Sequence, residues 1–84
     1  MPLVQREYRG MLTAVKAFAI TPSADVLNPR PRAVWVGTGG DLEIVDEDGT
    51  TTVLAGVQTG TLLPIEPVKI LGDNTSADDI VGLV

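Results

Sequence analysis

Arg32-Ala33-Val34-Trp35-Val36-Gly37-Thr38-Gly39-Gly40-Asp41-Leu42-Glu43-Ile44-Val45 decides the fold class. It holds two short runs rich in β-branched residues, separated by a glycine cluster, and each run alternates in character from one residue to the next. In Asp41–Val45 the alternation is apolar against acidic: Leu42 and Ile44 share one face of an extended chain, Asp41 and Glu43 the other. That period of two is the mark of a half-buried strand. In Arg32–Val36 both faces are apolar, Val34 and Val36 on one side and Ala33 and Trp35 on the other. Such a strand is either covered twice or presents its second face to another subunit. Gly37–Gly40 reads as a hairpin turn between the two runs, and Glu47-Asp48-Gly49 as a second turn leading into a third run, Thr50–Ala55.

Working outward, the same grammar continues. Ala14–Ile20 reads as a strand ended by Thr21-Pro22-Ser23, and Asp25–Pro31 as a loop held extended by Pro29 and Pro31. Thr61–Ile65 and Val68–Leu71 are short strands interrupted by Pro64 and Pro67, and Ile80–Val84 closes the chain after the turn residues Asp73-Asn74-Thr75-Ser76. In that last run Ile80 and Val84 share one side, Val81 and Leu83 the other, so it too is apolar on both faces. Of the 84 residues, 25 are Val, Ile or Thr, which fit a pleated surface better than a helix. The expectation is an all-β protein: a small antiparallel β-sandwich or barrel of about six to eight short strands. Residues 1–13 form an extended N-terminal arm and residues 14–84 a single β domain.

Composition removes most chemistries. There is no Cys and no His, which excludes thiolate nucleophiles, disulfides, Cys-ligated zinc and the usual general base near neutral pH. No Ser–Lys or paired-carboxylate constellation stands out, so no catalytic, cofactor-binding or metal site is assigned, and the protein is read as not an enzyme. Gly37-Thr38-Gly39-Gly40 is no dinucleotide loop, since the third fingerprint glycine would fall on Leu42. Asp46-Glu47-Asp48 is no EF-hand, because with Gly49 at the sixth loop position the first ligand would be Ile44 and the last Ala55. A net charge of −5 argues against nucleic acid as a partner. No apolar run reaches the length of a membrane span, and the start of the chain lacks the apolar block of a signal peptide, so synthesis in the cytoplasm is expected.

Charge is also unevenly placed. Residues 1–32 carry five basic and two acidic groups, residues 33–84 one basic and nine acidic. An electropositive start and an electronegative body suit docking between neighbouring molecules. The stretch Pro2–Gly10 joins the apolar anchors Leu3, Val4 and Tyr8 to Arg6 and Arg9, the composition of an arm that orders on a neighbour. The candidate contacts with a neighbouring molecule are therefore Leu3, Arg6, Tyr8 and Arg9 in the arm, Arg30 in the first loop, Arg32 at the start of the next run, and Trp35, Val81 and Leu83 on the second faces of their strands.

Several runs resemble the spike base protein family of gene transfer agents and related tailed bacteriophages. They are Ala17–Ser23 (AFAITPS), Pro31–Gly37 (PRAVWVG), Asp48-Gly49-Thr50, Gly56-Val57, Thr59-Gly60, Leu63-Pro64-Ile65 and Ile80–Leu83 (IVGL). The resemblance runs from Ala17 to the C-terminus; the basic arm and the loop Asp25-Val26-Leu27-Asn28-Pro29 depart from the family pattern. It implies a virion structural protein on the capsid outer surface, a decoration (cement) or head-spike-base subunit. Its implied partners are the major capsid protein, further copies of itself as a trimer or pentamer, and a spike fibre protein, with no cofactor and no membrane. The alternative reading is a host-surface carbohydrate or receptor binder, or a tail-associated β module, suggested by the loops Asp25–Arg32 and Gly37–Gly40 on a rigid scaffold.

Overall fold

The computed structural model describes residues 15–84, so the expected arm, with Leu3, Arg6, Tyr8 and Arg9, lies outside the described residues. Within them are seven strands and no helix: β1 (Ala17–Ile20), β2 (Ala33–Thr38), β3 (Gly40–Val45), β4 (Thr51–Val57), β5 (Thr61–Leu63), β6 (Lys69–Leu71) and β7 (Asp78–Leu83). All pairings are antiparallel. They make one sheet of order β1-β7-β2-β5 and a second of order β4-β3-β6.

The inner faces of the two sheets share one core. The first sheet contributes Ile20, Val34, Val36 and Ile80; the second contributes Leu42, Ile44 and Ile70; Ala77 fills in from the approach to β7. Val34, Val36 and Leu42 are fully buried, as the alternation of their runs requires. Phe18, Leu54, Val57, Leu63 and Ile65 pack around this centre. The core is thin, as expected for a chain of this length.

One link differs from the sequence reading. β2 and β3 are not hairpin partners: β2 pairs with β5 and β7, and β3 with β4 and β6. Residues 37–40 are therefore a corner, where the chain leaves one sheet and enters the other with Gly39 alone between the strands. Gly39 is needed there for space. A Cβ on it would lie 2.5 Å from the Val57 carbonyl oxygen and 2.8 Å from the Thr59 nitrogen, both backbone atoms that cannot swing away. Its own N–H donates to Thr59 Oγ1 at 2.8 Å. Gly49 serves differently: its φ of +82° turns the β3–β4 hairpin, and nothing lies within 4 Å of a Cβ built on it. Asp46 holds that hairpin, its Oδ1 accepting from the N–H groups of Asp48 and Thr50, both at 3.0 Å.

The loop after β1 covers one edge of the second sheet. Ser23 N–H donates to the Ile70 carbonyl and Leu27 N–H to the Val68 carbonyl, both at 2.8 Å. β1 therefore lies on the β6 side of the molecule. β5, joined to the end of β4 by three residues, lies on the β4 side.

The two glycines fail in different ways when substituted. Gly39→Ala forces backbone apart and should cost about 1–3 kcal/mol; Gly49→Ala costs about 1–2 kcal/mol through backbone conformation alone. Asn, which tolerates positive φ, should recover most of the loss at position 49 and none at position 39. Urea denaturation of the four variants checks this.

Candidate interaction surfaces

The outer face of the first sheet is built from alternate residues of its four strands. Since Val34 and Val36 point inward, Ala33 and Trp35 point outward. The register then places Leu83 beside Ala33 and Val81 beside Trp35 on β7, Leu62 beside Trp35 on β5, and Ala17 and Ala19 beside Leu83 and Val81 on β1. One row, Ala19–Val81–Trp35–Leu62, crosses the whole sheet, and a second, Ala17–Leu83–Ala33, runs alongside it. None of the seven is polar. Trp35 is 41% exposed and Leu62 52% exposed, while Val81, Leu83 and Ala33 are partly covered by their neighbours. A sheet face facing water ordinarily carries polar side chains at these positions.

Three sequence-predicted contacts thus meet on this face: Trp35, Val81 and Leu83. Leu62 belongs with them. Sequence reasoning missed it because Thr61–Leu63 is too short for its alternation to speak, and only the register with Trp35 assigns its side. Arg32 is exposed at the entrance to β2, where its N–H donates to the Leu83 carbonyl at 2.7 Å. Arg30 is engaged within the chain. Its Nε and Nη2 donate to the Glu66 carbonyl oxygen at 3.1 and 2.7 Å, and Nη1 pairs with Glu47 Oε1 at 3.1 Å. That geometry ties the first loop to the Glu66–Pro67 bend before β6.

A second surface lies on the outside of the second sheet. Alternation alone puts Asp41 and Glu43 in water, yet Glu43 is buried. The reason is the segment between β6 and β7, which folds over this face of β3. Thr75 Oγ1 accepts the Glu43 N–H at 2.9 Å and donates to the Leu71 carbonyl. Ser76 and Asp41 bind each other twice, Asp41 N–H to Ser76 Oγ and Ser76 N–H to the Asp41 carbonyl, both at 2.9 Å. Asn74 Nδ2 donates to Glu43 Oε2 at 2.9 Å, while Oε1 is buried with no partner. Above lies a shallow depression of about 300 Å3, lined by Asp41, Val53, Asp73, Asn74, Thr75 and Ser76. Among the described residues no cluster of three or more acidic side chains is placed to hold a metal ion.

Among the described residues, then, one surface offers an apolar face and the other an acidic rim. No protein-family model matches the sequence, and no curated protein does. Among solved structures, a chain described as "Capsid of native GTA particle computed with C5 symmetry" superposes with a TM-score of 0.79. It is 42% identical over 84% of this chain and 83% of that one. The class so defined is a small all-β structural protein of a virus-like particle. More particularly, the chain belongs to the family of gene transfer agent (GTA) capsid-associated proteins that this structure represents.

The half-satisfied carboxylate has a measurable cost. Glu43→Gln keeps an acceptor for Asn74 and removes a buried charge that only one hydrogen bond offsets. It should raise stability at neutral pH by about 1 kcal/mol or more, seen as a higher urea midpoint with unchanged slope. Glu47→Ala, which removes one end of an exposed ion pair, should change stability by less than about 1 kcal/mol.

Proposed function

We propose that the protein is a subunit on the outer surface of the capsid, a decoration or head-spike-base protein that binds the major capsid protein. In that place it can serve as the seat of a fibre. The observation that carries the reading is the pair of apolar rows on the outer face of the first sheet, taken with kinship to a capsid-particle chain. Such a face gains by leaving water, at roughly 25 cal/mol for each Å2 of apolar surface covered. Repetition around a shell turns modest single contacts into firm attachment by effective concentration. The role asks for no chemistry from side chains.

A carbohydrate-binding reading needs an exposed aromatic, and Trp35 is one. Its neighbours on the face are Val81, Leu62 and Ala33, whose side chains offer no hydrogen-bond partner to a sugar hydroxyl. The surroundings of Trp35 therefore favour an apolar protein surface.

The test is binding to capsids assembled without this protein. Trp35→Lys puts a charge at the centre of the face without touching the core, and should weaken binding about thirtyfold or more, the equivalent of about 2 kcal/mol. Val26→Lys, at a 61% exposed site in the first loop, should bind as the unaltered protein does. Equal binding by Trp35→Lys and the unaltered chain would remove this face from the contact.

A further inference from the structure

We infer that the outer face of the first sheet holds a receptor for one basic side chain, an arginine or lysine of the capsid protein beneath it. Trp35 is its floor, Gly37 its gap and Asp79 its counter-charge. The inference rests on the proposed contact between this face and the shell, and it names what that contact contains.

The two apolar rows do not reach the end of the sheet. A third outward row follows them. Asp79 stands opposite Gly37, between the pairs Val36–Ile80 and Thr38–Asp78, and Gly60 lies beside Gly37, one step past the pair Val36–Thr61. Two of these three residues have no side chain. Asp79 has a φ of +52°, in the left-handed region. In that conformation it closes on β2: a Cβ on Gly37 would lie 2.7 Å from Asp79 Cβ and 2.8 Å from the Asp79 carbonyl oxygen. Position 37 is therefore bare, and Asp79 Cβ stands on the outer face beside the gap. The indole of Trp35 leans towards the same row, its tip Cη2 lying 3.8 Å from where a Cβ on Gly60 would be.

The carboxylate is fixed and exposed. Asp79 Oδ2 accepts from Thr38 Oγ1 at 2.8 Å, and the Asp79 N–H donates to Asp78 Oδ1 at 2.9 Å. Among the described residues no arginine or lysine pairs with it. Diagonal neighbours on antiparallel strands stand about 7–8 Å apart, so Trp35 and Asp79 are within the span of one long side chain. Its alkyl stem can lie along the indole while its charged head meets the carboxylate. The ring attracts a cation over its face, and the carboxylate adds a charge-assisted hydrogen bond. A wholly apolar partner would instead cover Asp79 without compensating its charge, which is costly. The complementary surface is therefore apolar over the two rows and cationic at their margin.

The test titrates capsids assembled without this protein, at low and at high salt. Asp79→Asn keeps a residue that tolerates positive φ and an oxygen for the Thr38 hydroxyl, so its urea midpoint should match the unaltered chain. It removes the counter-charge. Binding should weaken about tenfold at low salt, and the remaining affinity should depend less on salt. Asp25→Asn makes the same change of net charge at an exposed site in the first loop, and should bind as the unaltered chain does. If Asp79→Asn matches Asp25→Asn in affinity and in salt dependence, the inference is overturned. Should Trp35→Lys still lose binding in that case, the face keeps its contact with the shell and only the receptor falls. Equal binding by all of these chains, Trp35→Lys included, removes the face from the contact and the receptor with it.

Discussion

A two-layer sheet protein has one interior, and each strand has two faces. Every second side chain must therefore meet water or another molecule, and what stands there is free to vary with the surroundings the protein occupies. Here the inward positions are conventional: Val34, Val36, Leu42, Ile44, Ile70 and Ile80 close a thin core. The outward positions of the first sheet are the unusual ones. Seven apolar side chains across four strands do nothing for the interior, and Val81 and Leu83 could be polar without disturbing Ile80 or Gly82 on the other side of the same strand. Apolar patches of this kind mark interaction surfaces more often than they serve the isolated molecule.

Much of this was legible before the structure because alternation is a strong signal when it is broken on both faces. Ala33-Val34-Trp35-Val36 and Ile80-Val81-Gly82-Leu83 announced two-sided strands, and the register confirms that their second faces coincide. The glycine corner was not legible. A run such as Gly37-Thr38-Gly39-Gly40 permits a tight reversal and a close backbone crossing equally well. Only the positions of Val57 and Thr59, contributed by another part of the chain, decide for the crossing. The burial of Glu43 was not legible for a related reason. Its alternation with Leu42 and Ile44 correctly assigns its side of β3, but the side of a strand says nothing about whether a distant loop will cover it. Thr75 and Asn74 looked like ordinary turn residues, and their hydroxyl and amide turn out to dock the turn onto β3.

The arginines show the same limit at finer grain. From sequence Arg30 and Arg32 were equivalent basic groups in one loop. Folding separates them: Arg30 reaches across to the Glu66 carbonyl and Glu47, bracing the loop that covers β6, while Arg32 is exposed at the entrance to β2. Long polar side chains cannot be sorted this way by position, because their reach exceeds the spacing of the elements they join.

The two surfaces also differ in what they ask of a partner. The face around Trp35 is apolar and broad, so it discriminates by shape and rewards any well-fitted apolar surface. The rim that Asp41 and Asp73 line is acidic, so it discriminates by charge. If the first face meets the shell, as proposed, an apolar face on one sheet and an acidic rim on the other would keep that encounter apart from polar ones, since each surface is a poor partner for the other.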